Sequence, residues 1–178
     1  MSTLLEQDGL VVTWRRINPN TESGLWDCCE LDGRGEAVPH PHPSGRRQIV
    51  LTDIYCQVAE QIGHVAAMSV AVTTPSFGIR VPDVVWMPPE KWEGLDLEAP
   101  VPFVPDLCVE VLLDRTFPQG IGPRIRAYLE GGASEVIVVG HRGELQFFGA
   151  TGLLNTSAFG IKLSLDRAYF EDIGPSSH

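Results

Sequence analysis

Two carboxylates, Asp83 and Glu110, are embedded in apolar segments of this 178-residue chain. Asp83 lies in RVPDVVWM, residues 80–87, and Glu110 lies in FVPDLCVEVLL, residues 103–113. Side chains alternate between the two faces of a strand, so Glu110 is expected to share a face with apolar neighbours. Burying an ionised carboxylate without a partner costs several kcal/mol, so such a residue must be protonated, paired or bound to a cation.

Two kinds of cation could compensate these acids, and the sequence leaves both open. Carboxylates that converge from neighbouring strands suit a hard divalent ion such as Mg²⁺, which prefers oxygen ligands. Such an ion lowers the pKa of a bound water and stabilises the charge that develops on a phosphodiester. Alternatively, the acids form ion pairs with arginine, of which the chain has eleven against two lysines. Asp106, which follows Pro at a strand entrance, is expected to be solvated or hydrogen-bonded to backbone.

Apolar periodicity predicts the elements that position the two acids. Apolar residues recur near a 3.6-residue period between Ser44 and Gly63, which predicts a helix with Ser44 as N-cap and Gly63 as its stop. Pro123 suits the first turn of a second helix. The predicted core elements after the first helix are, in order, strands over 64–72, 78–87 and 105–113, a helix over 123–130 and a strand over 134–140.

The flanking segments are predicted to be mostly β. Residues 9–17 are strand-like, 26–38 suggest a hairpin, and 144–149 and 161–166 are predicted strands, with a terminal helical turn over 166–170. The whole chain is interpreted as one α/β (α+β) domain over 1–178. It would comprise an N-terminal β extension over about 1–43, a core over about 44–140 and C-terminal strands over about 141–178.

Composition excludes several classes of function. With 43% hydrophobic and 20% charged residues the chain is expected to be globular, and no apolar run approaches the length of a membrane span. The N-terminus lacks the pattern of a signal peptide, so a cytoplasmic protein without a membrane partner is expected. A formal net charge of −10 argues against nonspecific coating of nucleic acid, although not against a local basic groove.

The cysteines and two histidines give weaker signals. Four cysteines without a CxxC pair are typical of packing residues in a reducing compartment. His40 and His42 alternate in an extended, Pro-flanked loop with no third ligand nearby, so they are left out of the predicted site.

The segment from RVPDVVWM through PDLCVEVLL and PRIRAYLE to SEVIVVG resembles the putative restriction endonuclease family of bacterial proteins, which is built on the PD-(D/E)-x-K nuclease core. CELDGRGEAV, at 29–38, is similar to the N-terminal segment of that family, and ELQFFGATG through IKLSLDRAYF is similar to its C-terminal strands. The resemblance implies a restriction-endonuclease-like αβββαβ core with flanking strands, and it agrees with the predicted order of elements.

The resemblance also implies a site. Asp83 and Glu110 match its two acids, which would hold Mg²⁺ or Mn²⁺ together with the backbone carbonyl of Val111. Arg124 stands where the family often has a lysine on the second helix, and it would face the scissile phosphate. Further residues suggested by the match are Glu30, Arg46 or Arg47 in place of a histidine at the head of the first helix, and Tyr128.

The implied function is Mg²⁺-dependent endonuclease action on DNA, with a homodimer expected by analogy. One departure puts catalysis in doubt, because Leu112 occupies the lysine position of the motif and Arg124 the alternative position. A guanidinium stays protonated and can position or stabilise charge but does not transfer a proton. Reduced activity, or a catalytically inactive binding or scaffold protein of the same fold, is therefore the alternative. A structural domain whose acids only pair with arginines is a third possibility.

Overall fold

The computed structural model describes residues 4–17, 29–39, 44–63 and 65–171. His40, His42 and Cys28 lie outside the described residues. The helices are α1 (Gln7–Ile17), α2 (Gly45–Ile62) and α3 (Gly122–Glu130), with short 3₁₀ turns at Pro89–Lys91 and Arg167–Tyr169. The strands are β1 (Cys29–Asp32), β2 (Ala37–Pro39), β3 (Ala66–Met68), β4 (Val72–Thr73), β5 (Gly78–Arg80), β6 (Val84–Trp86), β7 (Leu107–Val111), β8 (Glu135–Val139), β9 (Leu145–Gly149) and β10 (Gly152–Leu154).

The strands form two sheets. The larger has the order β10-β9-β8-β7-β6-β3 and is antiparallel except for the parallel pair β7 and β8. The smaller is antiparallel with the order β2-β1-β5-β4. The succession α2, β3, β6, β7, α3, β8 is the predicted αβββαβ core, with β4 and β5 inserted into the second sheet. The fold-class prediction is confirmed.

The large sheet has an apolar core on each face. Leu107, Val109 and Val111 of β7 pack in the core that also contains residues of α2, and Cys108 packs in the core that contains residues of α3. This alternation confirms the predicted faces of β7, and it places Glu110 on the α3 side of the sheet.

Both predicted core helices begin and end where their capping residues indicate. The Ser44 hydroxyl accepts a hydrogen bond from the Arg47 backbone N–H at 3.1 Å. Gly63 follows α2 with a φ of 77°, which a residue with a Cβ rarely adopts. In α3, Pro123 occupies the first turn and Gly131 follows the last residue.

The N-terminal prediction was half right. The hairpin over 26–38 is confirmed within the described residues as β1 and β2, but residues 9–17 form most of α1 rather than a strand. Their β-branched residues favour a strand locally, whereas the spacing of Leu10, Trp14 and Ile17 places all three on one helical face. That face packs on Leu31 and Ile79, so tertiary burial decides the conformation.

Two of the predicted strands are interrupted. Residues 78–87 divide into β5 and β6 in different sheets, because Pro82 lacks an N–H for a continuous ladder. Residues 64–72 likewise divide, into β3 and the start of β4, with Ser69 between them at a φ of 54°. The chain therefore crosses from the large sheet to the small one before β4 and returns to the large sheet after β5.

The strand predicted over 161–166 is absent from the structure. Its backbone is bound by glutamine side chains of α2 instead of by a neighbouring strand: Gln61 bonds the N–H and C=O of Lys162, and Gln57 bonds those of Ser164. The terminal helical turn is confirmed as the 3₁₀ turn at Arg167–Tyr169. Among the described helices, none has the length and apolar character to cross a membrane.

Candidate functional site

Seven buried charged side chains form one hydrogen-bonded group, which we call the arginine–carboxylate cluster. Its members are Glu30, Arg47, Arg80, Asp83, Glu110, Arg115 and Arg124. None has more than 7% of its surface exposed. The cluster contains four cations and three anions, and at such burial each charge requires a partner because water is excluded.

Asp83 lies where the chain passes from the small sheet to the large one. Its backbone N–H donates to the carbonyl of Val109 at 3.1 Å, which fixes the residue beside β7. Its Oδ2 accepts hydrogen bonds from Arg47 Nη2 and from the backbone N–H of Val111, each at 2.7 Å. Arg115 Nη1 lies 3.4 Å from Oδ1 and 3.5 Å from Oδ2. The carboxylate is thus surrounded by donors on both oxygens.

Glu110 is fully buried in β7 and is bound mainly from α3. Its Oε1 accepts from Arg124 Nε at 3.1 Å and Nη2 at 2.8 Å, and it also accepts from the Tyr128 hydroxyl. Arg124 and Tyr128 are four residues apart and therefore lie on one face of α3. The other oxygen, Oε2, lies 3.5 Å from Arg115 Nη1.

Glu30 connects the two sheets through Arg124. Arg124 donates from Nη1 and Nη2 to the two oxygens of Glu30, at 2.8 Å each, in a bidentate pair. Glu30 also accepts from Arg80 Nη1 at 3.1 Å and from the backbone N–H of Val81 at 2.9 Å. Since Glu30 belongs to β1 and Glu110 to β7, one guanidinium bridges a carboxylate from each sheet.

The pKa values follow from burial and these charges. Burial raises the pKa of Glu30, but Arg124, the backbone N–H of Val81 and Arg80 together outweigh burial and hold the pKa below its ordinary value. Burial, and next the charge of Glu110, raise the pKa of Asp83 against the opposing effect of Arg47 and Arg115. Burial lowers the pKa of Arg124, but Glu110 and other partners raise it well above the usual range. Arg124 is therefore a permanent cation that cannot serve as an acid or a base at neutral pH.

Most residues singled out in the sequence lie in or beside this cluster. Asp83, Glu110, Glu30, Arg47, Arg124 and Tyr128 are joined by the contacts above, and Val111 contributes its N–H. Arg46 is half-buried and forms no ion pair with a described carboxylate. Asp106 lies apart from the cluster and forms an ion pair with Lys91 at 2.8 Å rather than depending on backbone and solvent alone.

Sequence reasoning missed Arg80 and Arg115. Arg80 immediately precedes the Val-Pro-Asp segment, but its guanidinium pairs with Glu30 of β1 rather than with Asp83, so its place in the sequence does not indicate its partner. Its guanidinium also lies 3.5 Å from the centre of the Phe77 ring. Arg115 gave no signal, because it lies in an irregular loop and its approach to the acids depends on how that loop returns to the sheet.

The residue types at Asp83 and Glu110 fit a cation site. Both carboxylates lie within 3.5 Å of a single nitrogen, Arg115 Nη1, which acts as a stand-in cation between them. Two carboxylates, one carbonyl and waters are a sufficient set for Mg²⁺. No group of three or more His, Cys, Asp or Glu side chains suited to a metal occurs within 4–17, 29–39, 44–63 and 65–171.

A family model described as "Putative restriction endonuclease" (Uma2) matches residues 26–148. The fold is similar to the crystal structure of a putative nuclease of the DUF820 group from Anabaena variabilis, with a TM-score of 0.62 and 15% sequence identity. That similarity covers 93% of this chain and 97% of the other. No protein of curated function matches the sequence. The chain belongs to the Uma2 family, and its fold is that of a nuclease-like protein.

Proposed function

We propose that the protein is a Mg²⁺- or Mn²⁺-dependent endonuclease that hydrolyses phosphodiester bonds of DNA. The family and the nuclease-like fold support the reaction class. The single observation that carries the proposal is the convergence of Asp83 and Glu110 on one cation, Arg115 Nη1. In this proposal the metal binds to those two carboxylates and to the carbonyl of Val111.

Bound there, the ion would lower the pKa of a water and neutralise charge on the phosphate. The other residues position its ligands. Arg47 and the Val111 N–H orient Asp83, while Arg124 and Tyr128 orient Glu110. Burial, followed by the charge of Glu110, raises the pKa of Tyr128 well above its ordinary value, so its hydroxyl keeps its proton and remains a donor.

Arg124 has a limited role in this scheme. Its hydrogen bonds are committed to Glu30, Glu110 and Tyr128, and its charge is permanent. It can hold the acids and stabilise negative charge on a phosphate, but a proton must be carried by water or substrate. A homodimer acting on two strands of DNA belongs to the same proposal and rests on analogy with other nucleases of this core.

The second candidate is a catalytically inactive binding or scaffold protein of the same fold. The observation that favours it is the pairing of all three cluster carboxylates with guanidinium groups. A cluster of this kind can hold the two sheets together without any metal, and truncating one partner of a buried pair is strongly destabilising.

Cleavage of DNA distinguishes the two candidates. The purified protein is incubated with supercoiled plasmid in Mg²⁺, Mn²⁺ or EDTA, beside Glu110→Gln and Arg124→Lys variants whose folding is checked by circular dichroism. We expect metal-dependent nicking that Glu110→Gln abolishes and that Arg124→Lys increases, since an ammonium is compact and can release a proton. Absence of cleavage by wild type and Arg124→Lys on supercoiled, linear and single-stranded DNA would contradict the endonuclease and favour the inactive protein.

A further inference from the structure

Arg115 reaches the two acids from the loop that connects β7 to α3. Directly after β7, the Leu112 N–H donates to the carbonyl of Val139 at 2.8 Å, which holds the start of the loop on the sheet. The chain then turns back, because the Arg115 N–H donates to the carbonyl of Leu112 at 2.5 Å. This reversal directs the guanidinium toward the cluster and leaves Arg115 only 5% exposed.

The same loop covers the cluster with an aromatic ring. The Phe117 ring centre lies 5.4 Å from the guanidinium carbon of Arg115 and 5.2 Å from that of Arg124. Both contacts are within the range of cation–π attraction. Asp83 and Glu110 are almost fully buried, and the loop that carries Arg115 and Phe117 contributes to their burial.

Charge balance opposes the simultaneous presence of Arg115 and a divalent ion. The cluster contains four guanidinium groups and three carboxylates, and the partly exposed Asp114 pairs with Arg47 at 3.3 Å. The four guanidinium groups are thus matched by four carboxylates, so two further positive charges would be repelled in a buried environment. Removing the guanidinium of Arg115 leaves three guanidinium groups beside four carboxylates, when Asp114 is included, and it takes away the cation that lies between Asp83 and Glu110. Arg47 and Arg124 still hold the other sides of these acids.

We propose that Arg115 is the resident counter-cation of Asp83 and Glu110, and that a divalent ion binds at these residues only by displacing it. This inference rests on the proposed function, because it concerns the same two carboxylates. It assigns Arg115 as a residue that controls metal affinity, and the loop over 112–121 as the segment that opens the site. An internal competitor lowers apparent affinity in proportion to the fraction of molecules in which it occupies the site.

Manganese binding without DNA tests this inference independently of catalysis. Isothermal titration with Mn²⁺ is performed on wild type, Arg115→Ala, Arg115→Gln and the control Arg126→Gln, which alters an exposed arginine of α3. We expect the two Arg115 variants to bind Mn²⁺ at least about tenfold more tightly than wild type. Arg126→Gln should bind Mn²⁺ with the affinity of wild type. Adding Glu110→Gln to Arg115→Ala should remove the increase in Mn²⁺ affinity.

Equal Mn²⁺ affinity of wild type and folded Arg115 variants would overturn the inference. If both Arg115 variants fail to fold while Arg126→Gln folds, it is also overturned, because the arginine is then a fixed structural element that no ion displaces. Tight Mn²⁺ binding by Arg115→Ala without DNA cleavage would support Arg115 as the competitor and refute the proposed endonuclease. If wild type cleaves DNA and the Arg115 variants bind Mn²⁺ no more tightly than wild type, the endonuclease is supported and the competition between Arg115 and the metal is refuted.

Discussion

At Glu30, the energetic cost of burying a carboxylate is opposed by two guanidinium groups and a backbone N–H. Arg124 and Arg80 both bind it. Burial raises its pKa, but these two arginines and the Val81 N–H together hold the pKa below its ordinary value. A group whose pKa is lower in the folded state stabilises the fold above its unfolded pKa. That contribution is lost as the pH falls through the folded value.

We therefore expect Glu30→Gln to be less stable than wild type by about 3 kcal/mol at pH 7, because a buried arginine loses its charged partner. Between pH 7 and pH 3 the wild type should lose stability faster than the variant, so the difference between them narrows. Urea unfolding at several pH values measures this. Glu36→Gln, an exposed glutamate of the same hairpin, is the control. A difference in unfolding free energy between wild type and Glu30→Gln that stays constant down to pH 3 would contradict the pairing of Glu30.

The sequence predicts the burial of Asp83 and Glu110, because a charged residue in an apolar strand lies on the same face as some of its apolar neighbours. The sequence also suggests that these acids pair with arginine, but it does not show which arginines are the partners. Arg47 and Arg124 were named through the family resemblance, whereas Arg115 was not. Its contact with Glu110 depends on a reversal of the chain after β7, and no local residue pattern specifies that path.

Among the secondary-structure elements, the pairing of β1 with β5 is what brings Glu30 to the large sheet. Asp32 of β1 lies opposite Gly78 of β5. A Cβ at Gly78 would overlap the carbonyl oxygen of Leu31, and the residue has a φ of 128°. Only glycine satisfies both the close approach and the positive φ at this position.

Gly78→Ala should therefore separate β1 from β5. Gly94→Ala is a matched control, because Gly94 also has a positive φ, of 76°, but has no neighbouring atom within 4 Å of an added Cβ. We expect the control to lose about 1 kcal/mol from backbone strain, and Gly78→Ala to lose about 2 kcal/mol more from the clash. Thermal or urea unfolding compares the two. Equal losses would show that the strands do not approach as closely as described.

The elements with strong local signals were predictable, and those whose conformation is decided by distant contacts were not. Ser44 and Gly63 define α2 through capping, which depends only on neighbouring residues. Residues 161–166 look like a strand, but their backbone is bound by Gln57 and Gln61 of α2, about a hundred positions away in sequence. Residues 9–17 form a helix because β5 offers an apolar surface for one helical face.

For the whole molecule, the distribution of charge matters more than its sum. Four of eleven arginines lie in the cluster, where they outnumber the carboxylates, so the rest of the chain is more acidic than the formal −10 indicates. Such an exterior repels the phosphates of DNA. Under the proposed function, attraction for DNA would come from the site itself, where a divalent ion between Asp83 and Glu110 would provide it.

The most direct test of this account is anomalous diffraction from crystals of Arg115→Ala soaked in Mn²⁺. We predict an anomalous peak in contact with carboxylate oxygens of Asp83 and Glu110 and with the carbonyl of Val111, at about 2.1 Å, the distance typical of Mg²⁺–oxygen bonds. Wild-type crystals soaked in the same way should show a weaker peak there, with Arg115 retained. An intact fold with no manganese between Asp83 and Glu110 in the variant would contradict the account.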